Sequence, residues 1–227
     1  MMRLTPQQSF QTGHDLAYCA TYFDQVLFAS RLANQKEELP KTHAQKMIQM
    51  LQKIGPNFAK RLQNIDKSCN TLGMPAIDLP ALPPDFYPWV TIRHTQFIEH
   101  WEAIDPVGIA FVLGHCLGEL RNGFIVANIG IDFERNIGLD CSKELENIPN
   151  RLHKILERWQ QAELLLQDPR IQNRFSTIST LLKTKLPTII NLLALPTIEE
   201  KSIAQAVLQK TLEILSHSEQ EIAAGLP

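Results

Sequence analysis

The chain has 227 residues, of which 44% are hydrophobic and 20% are charged, and its formal net charge is −2. This hydrophobic content is ample for the core of one large domain or two small ones, so the composition excludes a disordered chain. Because both signs of charge are spread along the sequence, no overall field favours nucleic acid or an anionic membrane, and an electrostatic partner must bind a local surface.

Helical periodicity begins near the N-terminus. The first apolar stripe predicts a helix that reaches about residue 34, and a second stripe predicts a helix for which Thr42 is a candidate N-cap. We expect Pro56 to kink or split this second helix, since proline removes a backbone donor and clashes one turn back. The two stripes are Leu16, Ala20, Phe23 and Leu27, followed by Met47, Leu51, Ile54, Phe58, Leu62 and Ile65.

The opposite face of the second predicted helix carries the clearest surface pattern of the chain. Lys46, Lys53, Lys60 and Lys67 recur every seven residues, and residues 36–67 hold seven basic and three acidic side chains, a net charge of +4. Seven residues are nearly two helical turns, so a mild bend at the proline would leave a basic ridge. A solvated face is the simpler interpretation, and an acidic protein is the favoured partner otherwise. Nucleic acid is disfavoured because no aromatic side chains for base stacking are interleaved.

A proline-rich connector follows, over residues 73–90. Its prolines fix too many φ angles for a helix or a central strand, and its apolar content favours a strap across one core over a linker between domains. Phe86, Tyr87 and Trp89 stand at its end, where they form a protein-binding hot spot if exposed and close the core if buried. A third helix is predicted from Thr91 to Ala103.

The segment from Asp105 to Ile131 is almost uncharged and carries five glycines. Asp105 and Pro106 suit a helix start, so we predict a central buried helix over 106–121 that ends near residues 122–123. Glycine at 114 and 118 indicates a close partner, either a neighbouring helix or a bound molecule. The uninterrupted apolar part is shorter than the roughly 20 residues of a membrane span, so no span is predicted. Residues 124–133 are either helix or short strand, and helix is favoured because no partner strand is visible.

Histidines near this segment suggest an alternative function as a ligand pocket. His115 lies between Gly114 and Gly118, and a haem, another apolar ligand or a metal would bind around it with His94 or His100 nearby. The Glu-x-x-His pattern of di-iron bundles is absent, and the latter two histidines are about 240° apart around a helix. A core histidine beside a packed helix needs no such group. We therefore predict neither a cofactor nor a metal.

The C-terminal half predicts three further helices. The first starts at Ser142 or Asn147, the second opens at Pro169 and is interrupted by Pro187, and the third opens with a capping box of Thr197 and Glu200. Apolar spacing predicts the buried sides of the first and third helices. These are Leu152, Ile155, Leu156 and Trp159 in the first, and Ile203, Val207, Ile214 and Leu215 in the third.

Together these patterns predict an all-α protein, a single compact bundle of about six or seven helices over residues 1–227, with the connector as the place of any subdivision. Phosphate-binding loops and the common hydrolase motifs are absent, which argues against an enzyme. We expect a non-catalytic adaptor or accessory subunit that binds another protein, in or out of a larger complex. Four scattered cysteines and the lack of a signal-like run predict a cytoplasmic protein with reduced thiols. The sequence does not fix its oligomeric state.

Overall fold

The computed structural model of this protein describes residues 4–79, 86–100, 105–166, 169–195 and 197–226, and all regular structure within these ranges is helical. The described ranges hold seven long helices and one short helix of five residues, so the predicted all-α class and the approximate number of helices are confirmed. The helices are α1 (Pro6–Ala33), α2 (Glu38–Leu72), α3 (Phe86–His100), α4 (Pro106–Ile137), α5 (Ser142–Glu146), α6 (Ile148–Leu165), α7 (Pro169–Leu193) and α8 (Ile198–Gly225).

The helices group into two compact units, Met1–Gly118 and Glu119–Pro227. The first unit contains α1, α2, α3 and the start of α4, and the second contains the rest of α4 with α5 to α8. The interpretation of residues 1–227 as one domain stays a prediction.

The core of the first unit joins residues from four helices, because each helix contributes one apolar face to it. Partly buried Phe58, Leu62, Met74 and Ile77 pack against this core. Its buried members are Leu4, Leu16, Cys19, Ile65, Cys69, Leu72, Trp89, Val90, Phe97 and Phe111.

Residues 74–79 of the predicted connector are non-helical and lie on this core. Residues 86–90, which the prediction also assigned to the connector, form the first turn of α3, so the predicted connector end at residue 90 and the predicted helix start at Thr91 are wrong. Gly73 ends α2 in the left-handed region with φ 67°, which glycine adopts without steric cost. Arg93 is buried and donates from Nη1 to the carbonyl oxygen of Pro75 at 3.0 Å. Met74 and Ile77 pack against the core. This part of the connector is thus a strap across one core, as predicted.

Two prolines leave their helices unbroken. Helix α2 continues through Pro56, so of the two predicted outcomes the split is wrong and the kink stays a prediction. Helix α7 continues through Pro187, so its predicted interruption is wrong. Buried apolar side chains on both sides of Pro56, such as Leu51 and Ile65, hold α2 in place. Tertiary packing of this kind outweighs a missing backbone hydrogen bond. Helix α2 also begins at Glu38, one turn before the expected cap at Thr42.

Helix α4 continues to Ile137, well past the end predicted at residues 122–123, and residues 124–133 are helical as favoured. Asn122 is buried, and a Cβ at Gly123 would lie 3.0 Å from Cδ2 of Leu152, so packing against α6 overrides the weak helix propensity of glycine. By length and composition α4 is able to cross a membrane, but 72% of its most apolar window is buried within the protein. The absence of a membrane span stays a prediction.

In the C-terminal helices, apolar periodicity predicts the buried side of α6 correctly and that of α8 incorrectly. The four apolar residues predicted to face inward from α6 are all buried, and the capping box at Thr197 is present. In α8 the expected buried side is wrong for Ile203, which is 60% exposed, and for Ile214, whereas Leu215 is buried. The side that α8 buries instead includes polar groups with partners. Gln205 Nε2, for example, donates to Asp132 Oδ1 at 2.7 Å.

Candidate functional site

The four predicted lysines lie on one uninterrupted helix and are all exposed. We call Lys46, Lys53, Lys60 and Lys67 the lysine ridge. At a rise of about 1.5 Å per residue, successive ammonium groups start about 10.5 Å apart and the ridge is about 31 Å long. Because seven residues fall about 20° short of two full turns, the ridge drifts only slowly around the helix.

The charge of the lysine ridge is not neutralised within the part of the chain that the structure describes. None of the four lysines forms an ion pair there. The acidic residues of α2 are Glu38, in its first turn, and Asp66, which is rotated about 100° from its neighbour Lys67. The ridge is therefore a line of four uncompensated positive charges.

Apolar side chains are exposed beside the lysines. Leu39 is 50% exposed and precedes Lys46 by seven residues, so it continues the line of the ridge. Met50 is 43% exposed and lies between Lys46 and Lys53, four residues after one and three before the other. These side chains give the ridge apolar contact points in addition to charge.

A buried polar network fixes the ridge helix against α1. Asp15 of α1 is fully buried and accepts from Nη1 of Arg61 at 2.5 Å, from Nδ2 of Asn64 at 3.1 Å and from Nε2 of Gln11 at 2.7 Å. The guanidinium carbon of Arg61 also lies 4.0 Å from the centre of the Tyr18 ring. Since Arg61 follows Lys60 directly but points inward, its charge belongs to the core and not to the ridge.

Sequence reasoning missed Asp15 and the inward role of Arg61. The two residues are 46 positions apart, and no local pattern links them. Burial raises the pKa of the nearby Cys19 thiol well above its ordinary value, and the Asp15 carboxylate raises it further, while Arg61 lowers it. The thiol is thus held in its neutral form. All four cysteines are buried.

Of the three histidines predicted to line the alternative pocket, His94 and His115 are in contact. The rings of His94 and His115 have centroids 4.2 Å apart at an interplanar angle of 45°, and His115 is buried. His100 is exposed at the end of α3. Among the described residues, no group of three or more histidine, cysteine or carboxylate side chains is arranged to hold a metal ion.

The glycines beside His115 have helix α1 as their close partner. A Cβ at Gly114 would lie 2.1 Å from the carbonyl oxygen of Phe10, and a Cβ at Gly118 would lie 2.7 Å from Cβ of Ala17. The approach is reciprocal, since a Cβ at Gly13 of α1 would lie 2.2 Å from the carbonyl oxygen of Phe111. Backbone occupies this face of α4, so a flat ring has no space against these two glycines.

The aromatic cluster at the end of the connector does not form the expected surface as far as it is described. Trp89 is 3% exposed and belongs to the core of the first unit, so the core-closing alternative applies to it. The side chains of Phe86 and Tyr87 lie outside those that the structure describes. The lysine ridge is thus the best-defined of the predicted interaction surfaces.

Comparison of this chain with protein-family models, with curated proteins and with solved structures finds no match.

Proposed function

We propose that this protein is a non-catalytic adaptor or accessory subunit whose lysine ridge binds an acidic segment of another protein. The observation that carries the proposal is the row of four exposed lysines on one helix face, none of them paired with a carboxylate in the described part of the chain. Charges left uncompensated in this way attract a partner of opposite sign and orient it.

The geometry favours a helical partner. Ridge lysines repeat about every 10.5 Å, and a helix with one carboxylate per seven residues repeats at the same interval. Exposed ion pairs contribute about 0.2–1 kcal/mol each, so four of them give about 1–4 kcal/mol. Apolar side chains of the partner against Leu39 and Met50 would add to this. The ridge charge would then mainly set the rate and register of association.

A protein partner fits this surface better than nucleic acid does. Binding of single strands relies on aromatic side chains on which bases stack. The aromatic residue of α2, Phe58, is stacked on Tyr22 with ring centroids 4.3 Å apart, on the inner face of the helix. Exposed leucine and methionine beside the lysines suit an amphipathic protein segment.

The experiment uses a synthetic helical peptide with glutamate at every seventh position and leucine between, labelled for fluorescence anisotropy. We expect saturable binding that weakens as salt is raised, and at least a tenfold loss of affinity in Lys53→Glu/Lys60→Glu. The matched control is Lys185→Glu/Lys210→Glu, which makes the same charge change at exposed lysines of α7 and α8.

Equal affinity in the two double variants would refute the ridge as the binding surface. A shuffled peptide of the same composition tests for register, and it should bind more weakly. If duplex DNA displaces the peptide and itself binds more tightly, the partner class is nucleic acid and the proposal is wrong.

The alternative function, a helical pocket around His115, has one observation in its favour, the ring contact between His94 and His115. It predicts a chromophore or a stoichiometric metal in natively purified protein, lost in His115→Ala while the fold survives. Absorbance spectra and elemental analysis test it, and a colourless, metal-free protein would refute it.

A further inference from the structure

A polar groove lies along α6 in the second unit. Its volume is about 500 Å³, and it is lined by one stripe of α6 side chains together with Asn147, which precedes α6, and Glu119 of α4. This volume lies within the range of small-molecule sites, about 300–1,000 Å³. No aromatic side chain occurs among the lining residues.

At one end of the groove the charged side chains are paired with each other. Arg158 Nη2 donates to Glu119 Oε2, so the guanidinium of α6 and the carboxylate of α4 neutralise each other. Glu157 and Gln161, in the same part of the lining, have side-chain oxygens that accept hydrogen bonds, and Oε1 of Glu157 lies 3.4 Å from Nε2 of His153.

The other end holds donors that nothing in the described part of the chain engages. Arg151 is half-buried, and Lys154 and Asn150 are exposed. Lys154 follows Asn150 by four residues and Arg151 by three, so it shares a face of α6 with each of them. Within the described ranges none of them makes a hydrogen bond or an ion pair through its side chain. This end of the groove thus presents two cations and an amide, while the Glu157 carboxylate lies one turn beyond Lys154, so the whole lining of three basic and two acidic side chains has a net charge of +1.

We propose that this groove binds a phosphorylated polyol, such as a hexose phosphate. A phosphate monoester carries about −1.5 to −2 charges at neutral pH, so it is attracted to the end of the groove that holds both Arg151 and Lys154 and lies away from the Glu119 and Glu157 carboxylates. The guanidinium of Arg151 matches two phosphate oxygens at once, and Lys154 adds a point charge. Oxygens of Glu157 and Gln161 accept from sugar hydroxyls. Because the lining has no ring for a base to stack on, a nucleotide fits less well.

The test is an amide NMR titration of the full chain with glucose 6-phosphate, with glucose and with inorganic phosphate. We expect saturable shifts confined to residues 147–161 with the sugar phosphate, and weaker binding of the other two compounds. Loss of a hydrogen bond to a charged group reduces affinity about tenfold or more, so Arg151→Gln/Lys154→Gln should bind at least tenfold more weakly. The control, Lys185→Gln/Lys210→Gln, should bind as the parent chain does.

Several results would overturn this assignment. One is the absence of saturable shifts in residues 147–161, and another is equal affinity of the site variant and the control variant. Inorganic phosphate that binds as tightly as the sugar phosphate would show an adventitious ion only. If the double variant loses its fold, Lys154→Gln alone decides the matter, because this exposed side chain makes no contact that supports the helix, and its affinity should still fall. The site is distinct from the lysine ridge, so either proposal can fail without the other.

Discussion

Replacing Gly114 by alanine should destabilise the protein more than the same change elsewhere in the same helix. The added methyl group would lie 2.1 Å from the carbonyl oxygen of Phe10 and 2.8 Å from its carbonyl carbon. These atoms belong to the backbone of α1 and move only if the whole helix moves. Gly123→Ala is the matched control, since its methyl group would meet only the end of the Leu152 side chain, at 3.0 Å.

The size of the effect follows from two opposing contributions. Overpacking costs about 1–3 kcal/mol, and we take about 3 kcal/mol for Gly114 because backbone is the obstacle. Alanine in place of glycine within a helix recovers about 1 kcal/mol. We therefore expect a net loss of about 2 kcal/mol for Gly114→Ala. For Gly123→Ala a small rotation of Leu152 relieves the contact, so its stability should stay within about 1 kcal/mol of the parent.

Urea denaturation followed by circular dichroism measures the difference, and thermal unfolding gives an independent value. A loss of about 2 kcal/mol corresponds to a fall in Tm of about 4–8 °C for a chain of this length. If Gly114→Ala were as stable as the control, α1 would not lie against this face of α4. Space for a flat ring beside His115 would then be available, and the pocket alternative would gain support.

Two further predictions concern the buried groups of the first unit. Asp15→Asn leaves the Arg61 guanidinium without its carboxylate and should lower the free energy of unfolding by about 3 kcal/mol in urea denaturation. The control Glu221→Gln removes an exposed pair with His217 and should change this free energy by no more than about 0.5 kcal/mol. Equal effects of the two substitutions would contradict the buried network around Asp15. Because the pKa of Cys19 is raised, the folded chain keeps a proton on this thiol at a pH at which the unfolded chain loses it. The contribution of the neutral thiol to the free energy of unfolding is therefore complete below the ordinary pKa of 9.0 and declines as the pH rises above that value. The free energy of unfolding of the parent chain should therefore fall between pH 8 and 10, and this fall should be smaller in Cys19→Ala by about 1.4 kcal/mol at one pH unit above the ordinary pKa. The same pH profile in the variant and the parent would refute the burial of this thiol.

Much of the helical fold can be predicted because its signals are local. The apolar stripe of α6 and the capping box that opens α8 lie within single turns or a few turns of the chain. The helix interruptions predicted at prolines and glycines are not observed, because these predictions ignore contacts with distant parts of the chain. Whether a helix continues through Pro56 or Gly123 depends on what packs against it, and those contacts come from distant parts of the sequence.

The buried side of α8 shows the same limit. Periodicity selects the face with the most apolar residues, yet Ile203 and Ile214 are exposed. The face that α8 buries carries Gln205 and Glu219, which α4 satisfies with Asp132 and Arg121. Burial of a polar side chain costs little free energy once it forms a hydrogen bond, and the partners of Gln205 and Glu219 are 73 or more residues away in the sequence.

The candidate surface was predictable to the extent that it depends on register alone. A spacing of seven residues places the ridge lysines on one side of any straight helix, so their common face follows from the sequence. Arg61 had to be counted with them until the structure showed its ion pair with Asp15. Charge that faces inward cannot be separated from charge that faces outward without the contacts of the fold.

Carbodiimide cross-linking in intact cells shows whether the lysine ridge contacts an acidic protein, because the reagent joins lysines to carboxylates that already touch. The protein is purified after cross-linking, and its linked peptides are mapped by mass spectrometry. We predict that links to aspartate or glutamate of another protein are concentrated at Lys46, Lys53, Lys60 and Lys67. Links to other proteins that occur as often at Lys185 and Lys210 as at the ridge would contradict it.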